Sequence, residues 1–208
     1  MEIQQIEQLV QKQRAFFQSG KTLNVSWRIE QLKKLRQAVI RNEEALEAAL
    51  QTDLGRSKTE AFLCDIGPVL VEINETIRGL RRWARPERHF SGLMCFPSLC
   101  TKVYKMPYGV TLIISPFNFP VLLTLGVLLA AIAGGNTAVC KVSSKSAACS
   151  GVLRQLIAET FDEEYVTVVD ALTMQPVDVI DRPVLVAMVV RIGKTRLLDN
   201  FSYDPANA

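Results

Sequence analysis

Two textures of hydrophobic pattern divide the chain. Up to about residue 90, apolar positions recur at helical spacing. From residue 108 onward they bunch into short solid blocks. Ile3, Ile6, Val10 and Phe17 predict an amphipathic helix over residues 3–19, which Gly20 ends. Ile29, Leu32, Leu35, Val39 and Ile40, continued by Leu46 and Leu50, predict a second helical element. Asn24 or Ser26 would cap its start and Gly55 would close it. A third helix is expected from Thr59 to Arg85, because the residue before Pro86 is disfavoured in the α region. Residues 1–90 thus form one helical segment.

Residues 91–107 break this rhythm with Gly92, Pro97 and Pro107 around β-prone pieces such as TKVYK, the pattern of an edge strand or hairpin. The blocks that follow alternate in type. VTLIIS reads as a buried strand, Val121–Ala133 as a helix, NTAVCKV as a strand, Ala147–Phe161 as a helix and YVTVVD as a strand. Strand–helix–strand–helix–strand with short links predicts an α/β fold with a parallel sheet, a βαβαβ unit over residues 108–170. The remainder, 171–208, is a divergent tail. PVLVAMVV (Pro183–Val190) is expected as a strand, and DNFSYDPANA as a frayed end.

Composition changes this picture only by exclusion. Hydrophobic residues make up 49% of the 208 and charged residues 22%, the balance of a globular protein. A net charge of +3 gives no general case for nucleic-acid binding. Arg78, Arg81, Arg82 and Arg85 share one helix face and read as a solvated surface at a helix C-terminus, with Ile73, Ile77, Leu80 and Trp83 on the buried side. No basic n-region precedes an apolar stretch at the start. The five cysteines include no C-x-x-C and there is one histidine, so neither a disulfide framework nor a metal site is expected. Reduced thiols fit a cytoplasmic protein. No charge occurs between Lys105 and Lys141, but Pro116, Asn118, Pro120, Gly134, Gly135 and Asn136 interrupt the stretch. Val121–Ala133 is the length of a buried core helix rather than a membrane span.

The chemistry sits at the strand ends. Parallel α/β sheets bind ligands beyond the carboxyl ends of their strands, which here are SPFNFP and KVSSKS. The dinucleotide fingerprint G-x-G-x-x-G is absent, and Gly134-Gly135 reads as a helix C-cap. Gly193–Thr195 spells GKT, but the glycine that a P-loop needs five residues earlier is Met188.

PYGVTLIISPFNFP followed by AIAGGNTAVCKVSSKS resembles the cofactor-binding half of NAD(P)-dependent aldehyde dehydrogenases, whose common forms are P-x-G-V-x-x-x-I-x-P-W-N-[YF]-P and A-x-x-A-G-N-x-x-V-x-K-P-S-E. DLGRSKTEAFLCDIGPVLVEI, RRWARPER and FDEEYVTVV are similar to the subgroup that includes the class 3 and fatty aldehyde enzymes. The resemblance runs over about residues 20–170. It implies N-terminal helices plus a partial Rossmann-like parallel sheet, an aldehyde as substrate, NAD or NADP as cofactor, a hairpin of the oligomerisation type, and a homo- or heterodimer. By position, Asn118 matches the amide that holds the oxyanion. Ile114, Ser115, Pro116 and Phe117 match the strand end beside the cofactor. Lys141 matches the lysine near the adenosine ribose, with Ser143 and Ser144 in the same strip.

The departures from the family pattern carry their own expectations. Phe117 stands where the family usually has Trp, and Val142 replaces Pro. Ser144 replaces the Glu that grips the ribose hydroxyls. Loss of that carboxylate, with Lys145 adjacent, leans the cofactor toward NADP. The family's nucleophile context F-x-x-x-G-Q-x-C, its base context E-L-G-G-K-S and its loop G-S-T-x-x-G are absent. Cys64 and Cys140 read as buried structural thiols, and Cys95, Cys100 and Cys149 match no family nucleophile. VDVIDRPVLVAMVV weakly resembles a much later family segment, I-N-x-R-P-x-P-L-A-L. The expectation is a truncated or internally deleted family member, inactive alone. The alternative is a nucleotide-binding or hetero-oligomerising module without catalysis.

Overall fold

A computed structural model describes residues 3–92, 96–98, 100–169, 184–192 and 195–203. They fall into two units, Met1–Leu172 and Thr173–Ala208.

The first unit opens with helix α1 (Ile3–Gln18), then α2 (Val25–Arg41) and α3 (Glu43–Leu54). Asn24 is the cap of α2, its side-chain oxygen accepting from the N–H groups of Ser26 (2.9 Å) and Trp27 (3.2 Å). The second helical element is two helices rather than one. The break falls at Asn42, whose side-chain amide folds back onto the carbonyl of Ala38 (2.9 Å), a local bond that competes with helix continuation. Ile40, in the last turn of α2, is exposed, whereas its neighbour Val39 faces inward.

The third helix is also interrupted. A short α4 (Lys58–Ala61) passes through a π-turn (Phe62–Ile66) into α5 (Gly67–Trp83). Pro68 explains the widened turn: its ring has no N–H to give and would clash with the carbonyl four residues back. Ile73 and Leu80 are buried as expected, but Trp83 is 44% exposed. Its indole lies across Gly79, where a β-carbon would come within 2.4 Å of the ring.

Strands β1 (Glu87–Phe90) and β2 (Cys100–Val103) pair antiparallel as an exposed hairpin. The parallel sheet follows: β3 (Val110–Ile114), α6 (Pro120–Gly134), β4 (Thr137–Lys141), α7 (Ala147–Thr160) and β5 (Val166–Val169). The strand order is β3-β4-β5, parallel throughout, with Ile114 opposite Lys141. This is the expected α/β architecture. Alternate residues Ala138, Cys140 and Val142 join Ile113 and Val166 in one core with Leu32, Leu35, Leu125, Leu128, Leu153 and Leu156. Helix α6 is apolar on nearly every side because α2, α5 and the sheet all pack against it. Among the described residues no helix is long and apolar enough to cross a membrane.

Two polar anchors fix the layers. Buried Gln13 of α1 donates to the carbonyl of Ala138 (3.0 Å). Arg28 of α2, itself 8% exposed, donates to the carbonyls of Thr22 (2.5 Å), Leu23 (3.0 Å) and Ala133 (3.1 Å). The last lies near the C-terminus of α6, where a cation is favoured. Burial holds the Arg28 guanidinium below its ordinary pKa, partly offset by Tyr165.

The second unit is a hairpin of β6 (Val184–Ile192) and β7 (Thr195–Tyr203), antiparallel from Val184 opposite Tyr203 to Ile192 opposite Thr195. The strand expected at Pro183–Val190 is therefore present. The segment DNFSY, expected to fray, is instead the second half of β7, because two nine-residue runs separated by only Gly193-Lys194 pair locally. Asp170 at the end of YVTVVD, residues 171–183, 193–194 and 204–208 of the tail, and Cys95 lie outside the described residues.

Candidate functional site

The carboxyl ends of β3 and β4 lie side by side. Beyond the strand pairing, the Ser115 N–H donates to the carbonyl of Lys141 (3.0 Å), carrying the ladder one step into SPFNFP. The two loops then meet above the strands, with the Lys145 ammonium 5.2 Å from the centre of the Phe117 ring. Ile114, Pro116, Phe117 and Asn118 are exposed, as are Ser144 and Lys145; Lys141 and Ser143 are half-buried. The result is an open shelf.

One atom on this shelf is out of balance. Ser115 is 4% exposed, and its hydroxyl is buried with no hydrogen-bond partner among the described residues. A buried hydroxyl left unpaired is unfavourable and is normally satisfied by something. On the neighbouring strip the Ser143 hydroxyl accepts from the Lys145 N–H (3.2 Å). The Ser143 carbonyl receives the hydroxyls of Ser150 (2.7 Å) and Ser146 (3.5 Å). Those bonds hold the turn that lacks the family proline at Val142.

Three charged residues with no assigned role in the sequence reading organise this shelf. Asp65, in the π-turn, is fully buried. One carboxylate oxygen accepts from the Leu122 N–H in the first turn of α6 (2.9 Å), and the other pairs with the Arg56 guanidinium. Arg56 also donates to the carbonyl of Asn118 (2.8 Å) and lies 4.6 Å from the centre of the Phe119 ring. Asp53, at the end of α3, accepts from the N–H groups of Ala148 (3.2 Å) and Cys149 (2.8 Å) at the start of α7. Each helix that follows a site loop is thus capped by a carboxylate from the same stretch, DLGRSKTEAFLCD. The signal was present: Asp65 is the lone charge between Glu60 and Glu72.

Two of the thiols are held in the protonated form by burial. Burial pushes the Cys140 thiol up to about 12. Burial, reinforced by the Asp53 carboxylate and opposed by Arg56, pushes Cys149 up to about 12 as well. Cys64, expected to be buried, is half-buried in the π-turn, and Cys100 is exposed on β2. Among the described residues no group of three His, Cys, Asp or Glu is placed to hold a metal ion.

The profile of the Aldehyde dehydrogenase family matches residues 1–200. The chain belongs to the aldehyde dehydrogenase family. Within it, the chain is 41% identical over 167 residues to the 4,4'-diaponeurosporen-aldehyde dehydrogenase of Staphylococcus aureus, covering 79% of this chain and 36% of that protein. It is 34% identical over 169 residues to a probable coniferyl aldehyde dehydrogenase of Pseudomonas aeruginosa, covering 81% and 35%. The solved structure of substrate-bound Staphylococcus aureus AldH superposes with a TM-score of 0.78 at 40% identity, over 82% of this chain and 37% of that one. The chain therefore spans about a third of the length of these aldehyde dehydrogenases. An NADP-complexed glyceraldehyde-3-phosphate dehydrogenase of Methanocaldococcus jannaschii shares the fold at 19% identity, TM-score 0.66.

Proposed function

We propose that this chain carries the nicotinamide-nucleotide shelf of an enzyme that oxidises aldehydes to carboxylic acids. The observation that supports this best is the shelf itself: SPFNFP and KVSSKS side by side, with the buried Ser115 hydroxyl unpartnered among the described residues. The residues present fit such a cofactor. Lys141 would lie near the adenosine ribose, where it and Lys145 offer cations for a phosphate, and Ser143 and Ser144 offer hydroxyls for that ribose. Because Asp65 and Asp53 already cap α6 and α7, phosphates would meet these lysines rather than either helix start. Ile114, Ser115, Pro116 and Phe117 would line the passage of the cofactor. When bound, the nicotinamide supplies the hydride acceptor.

In this reading the side-chain amide of Asn118 donates to the oxygen of an aldehyde as negative charge develops on it, the contribution of an oxyanion hole. The serine at position 144 cannot grip two ribose hydroxyls as a carboxylate does, and Lys145 adds positive charge, so NADP is preferred over NAD. The nucleophile and base contexts of the family are not in this sequence, and Cys140 and Cys149 are buried with raised pKa values. The chain alone then binds nucleotide without turnover, in the cytoplasm. In this reading the N-terminal helices and the hairpin of β1 (Glu87–Phe90) and β2 (Cys100–Val103), which starts before the expected bound of residue 91, support the βαβαβ unit.

Calorimetric titration should show NADP binding more tightly than NAD. Aldehyde plus NAD(P) should give no rise at 340 nm, the absorbance of the reduced cofactor. Tighter NAD binding overturns the preference, and a sustained rise overturns the lack of turnover. A second reading, a module that docks on an intact relative as a homo- or heterodimer, is favoured by β3. There Leu112 and Ile114 are 64% and 67% exposed. Co-purification with an intact family member tests it.

A further inference from the structure

We infer that Asp65 and Arg56 form a positioning unit that aims Asn118. The functional meaning of this inference rests on the reading of Asn118 above; its geometry does not. Asn118 is exposed, and among the described residues its side-chain amide makes no hydrogen bond. Only its backbone is held, through the carbonyl that Arg56 grips at 2.8 Å. The next residue, Phe119, is held by the same guanidinium through its ring. The start of α6 is held by Asp65 at Leu122. So the segment from 118 to 122 is fastened at three points by one ion pair.

Stability alone is a poor reason for that pair. A buried carboxylate loses its hydration, and an apolar pair of similar volume is often as stable or more so. What the pair adds is direction. Arginine presents a planar fork that can meet a carboxylate and a carbonyl at once while stacking on an aromatic ring. Lysine, a point charge on a flexible stem, cannot do all three. Asp53, Arg56 and Asp65 thus tie both site loops to one short stretch of chain, in addition to the Ser115–Lys141 bond that continues the β3–β4 ladder.

Backbone amide relaxation of the full 208-residue chain, measured by NMR on wild type, Arg56→Met and Arg56→Lys, tests this. The wild-type order parameters at Phe117–Phe119 should be near the rigid value of about 0.85 and fall below about 0.6 in Arg56→Met. Arg56→Lys keeps the charge for Asp65 but loses the fork and the stack, so it should fall between them. The amides of β3 and β4 should not change. Unchanged order at 117–119 in the variants overturns the inference. An equal loss of order across β3, β4 and β5 also overturns it, since that is the signature of a merely stabilising pair. If Arg56→Met does not fold, Arg56→Lys decides by the same comparison. NADP titration of the wild-type sample separates the two claims: absence of binding removes the proposed function, while the order parameters still decide the positioning unit.

Discussion

Gly135 links the helix that follows the site loop to the N-terminal helices, and its replacement by alanine has a cost that can be worked out. Gly135 is the C-cap of α6 with φ of 87°, a conformation that an L-residue adopts only with strain. That term is about 1–2 kcal/mol. A β-carbon there would also stand 2.7 Å from the guanidinium carbon of Arg28. Backbone at Gly135 cannot retreat, because its N–H is bonded to the carbonyl of Ile132 (3.0 Å), so Arg28 must move. Arg28 makes hydrogen bonds to three carbonyls, and a hydrogen bond from a charged group contributes about 1.5–3 kcal/mol. Losing one of them with the strain gives a total of about 2.5–5 kcal/mol. Urea unfolding of Gly135→Ala should show that loss in midpoint at an unchanged slope. The decisive comparison is a double-mutant cycle. In an Arg28→Ala background the clash is gone, so Gly135→Ala should cost only the strain, about 1–2 kcal/mol. Additive effects of the two changes would refute the clash, and a single-mutant cost below about 1 kcal/mol would refute both terms.

The remaining predictions concern the shelf and the thiols. Ser144→Glu restores a carboxylate beside Ser143 and should tighten NAD while weakening NADP, by about tenfold each, since one charge-assisted bond is worth at least 1.4 kcal/mol; titration of the variant with both nucleotides checks it. Cys140 and Cys149 have folded pKa values raised to about 12, above an unfolded value of about 8.5. Raised acids of this kind stabilise the fold fully below the unfolded pKa, and the stability is lost as pH rises toward the folded one. The urea midpoint should therefore be flat through neutrality and fall above pH about 8.5. In Cys140→Ser/Cys149→Ser the fall should be shallower, and an identical fall would show that other groups drive it.

Much of the fold was legible because it repeats a local rule. Solid apolar blocks spaced by helices specify a parallel sheet wherever they occur, and β3, β4 and β5 lie where that rule puts them. Asn24 capped its helix for an equally local reason. The expectations that failed each needed a partner distant in sequence or a competing local bond. Ile40 adjoins an apolar stripe, yet it lies about 100° round α2 from buried Val39 and, among the described residues, no packed element covers it. Trp83 has the spacing of a core residue, yet it folds over Gly79 at the surface.

The site divides in the same way. Sequence alone determined which loops carry the chemistry, because SPFNFP and KVSSKS end two strands of a parallel sheet and a family pattern runs through both. It also determined the departures at Phe117, Val142 and Ser144, which are matters of residue identity. Only the tertiary structure decided what holds those loops. Arg56 and Asn118 are 62 residues apart and Asp53 and Cys149 are 96 apart, and no periodicity joins positions so distant. A charge buried in an apolar turn marks that a partner must exist, since the cost of burying it alone is prohibitive. Which partner it meets depends on how helices and sheet pack, and that is settled by the core as a whole.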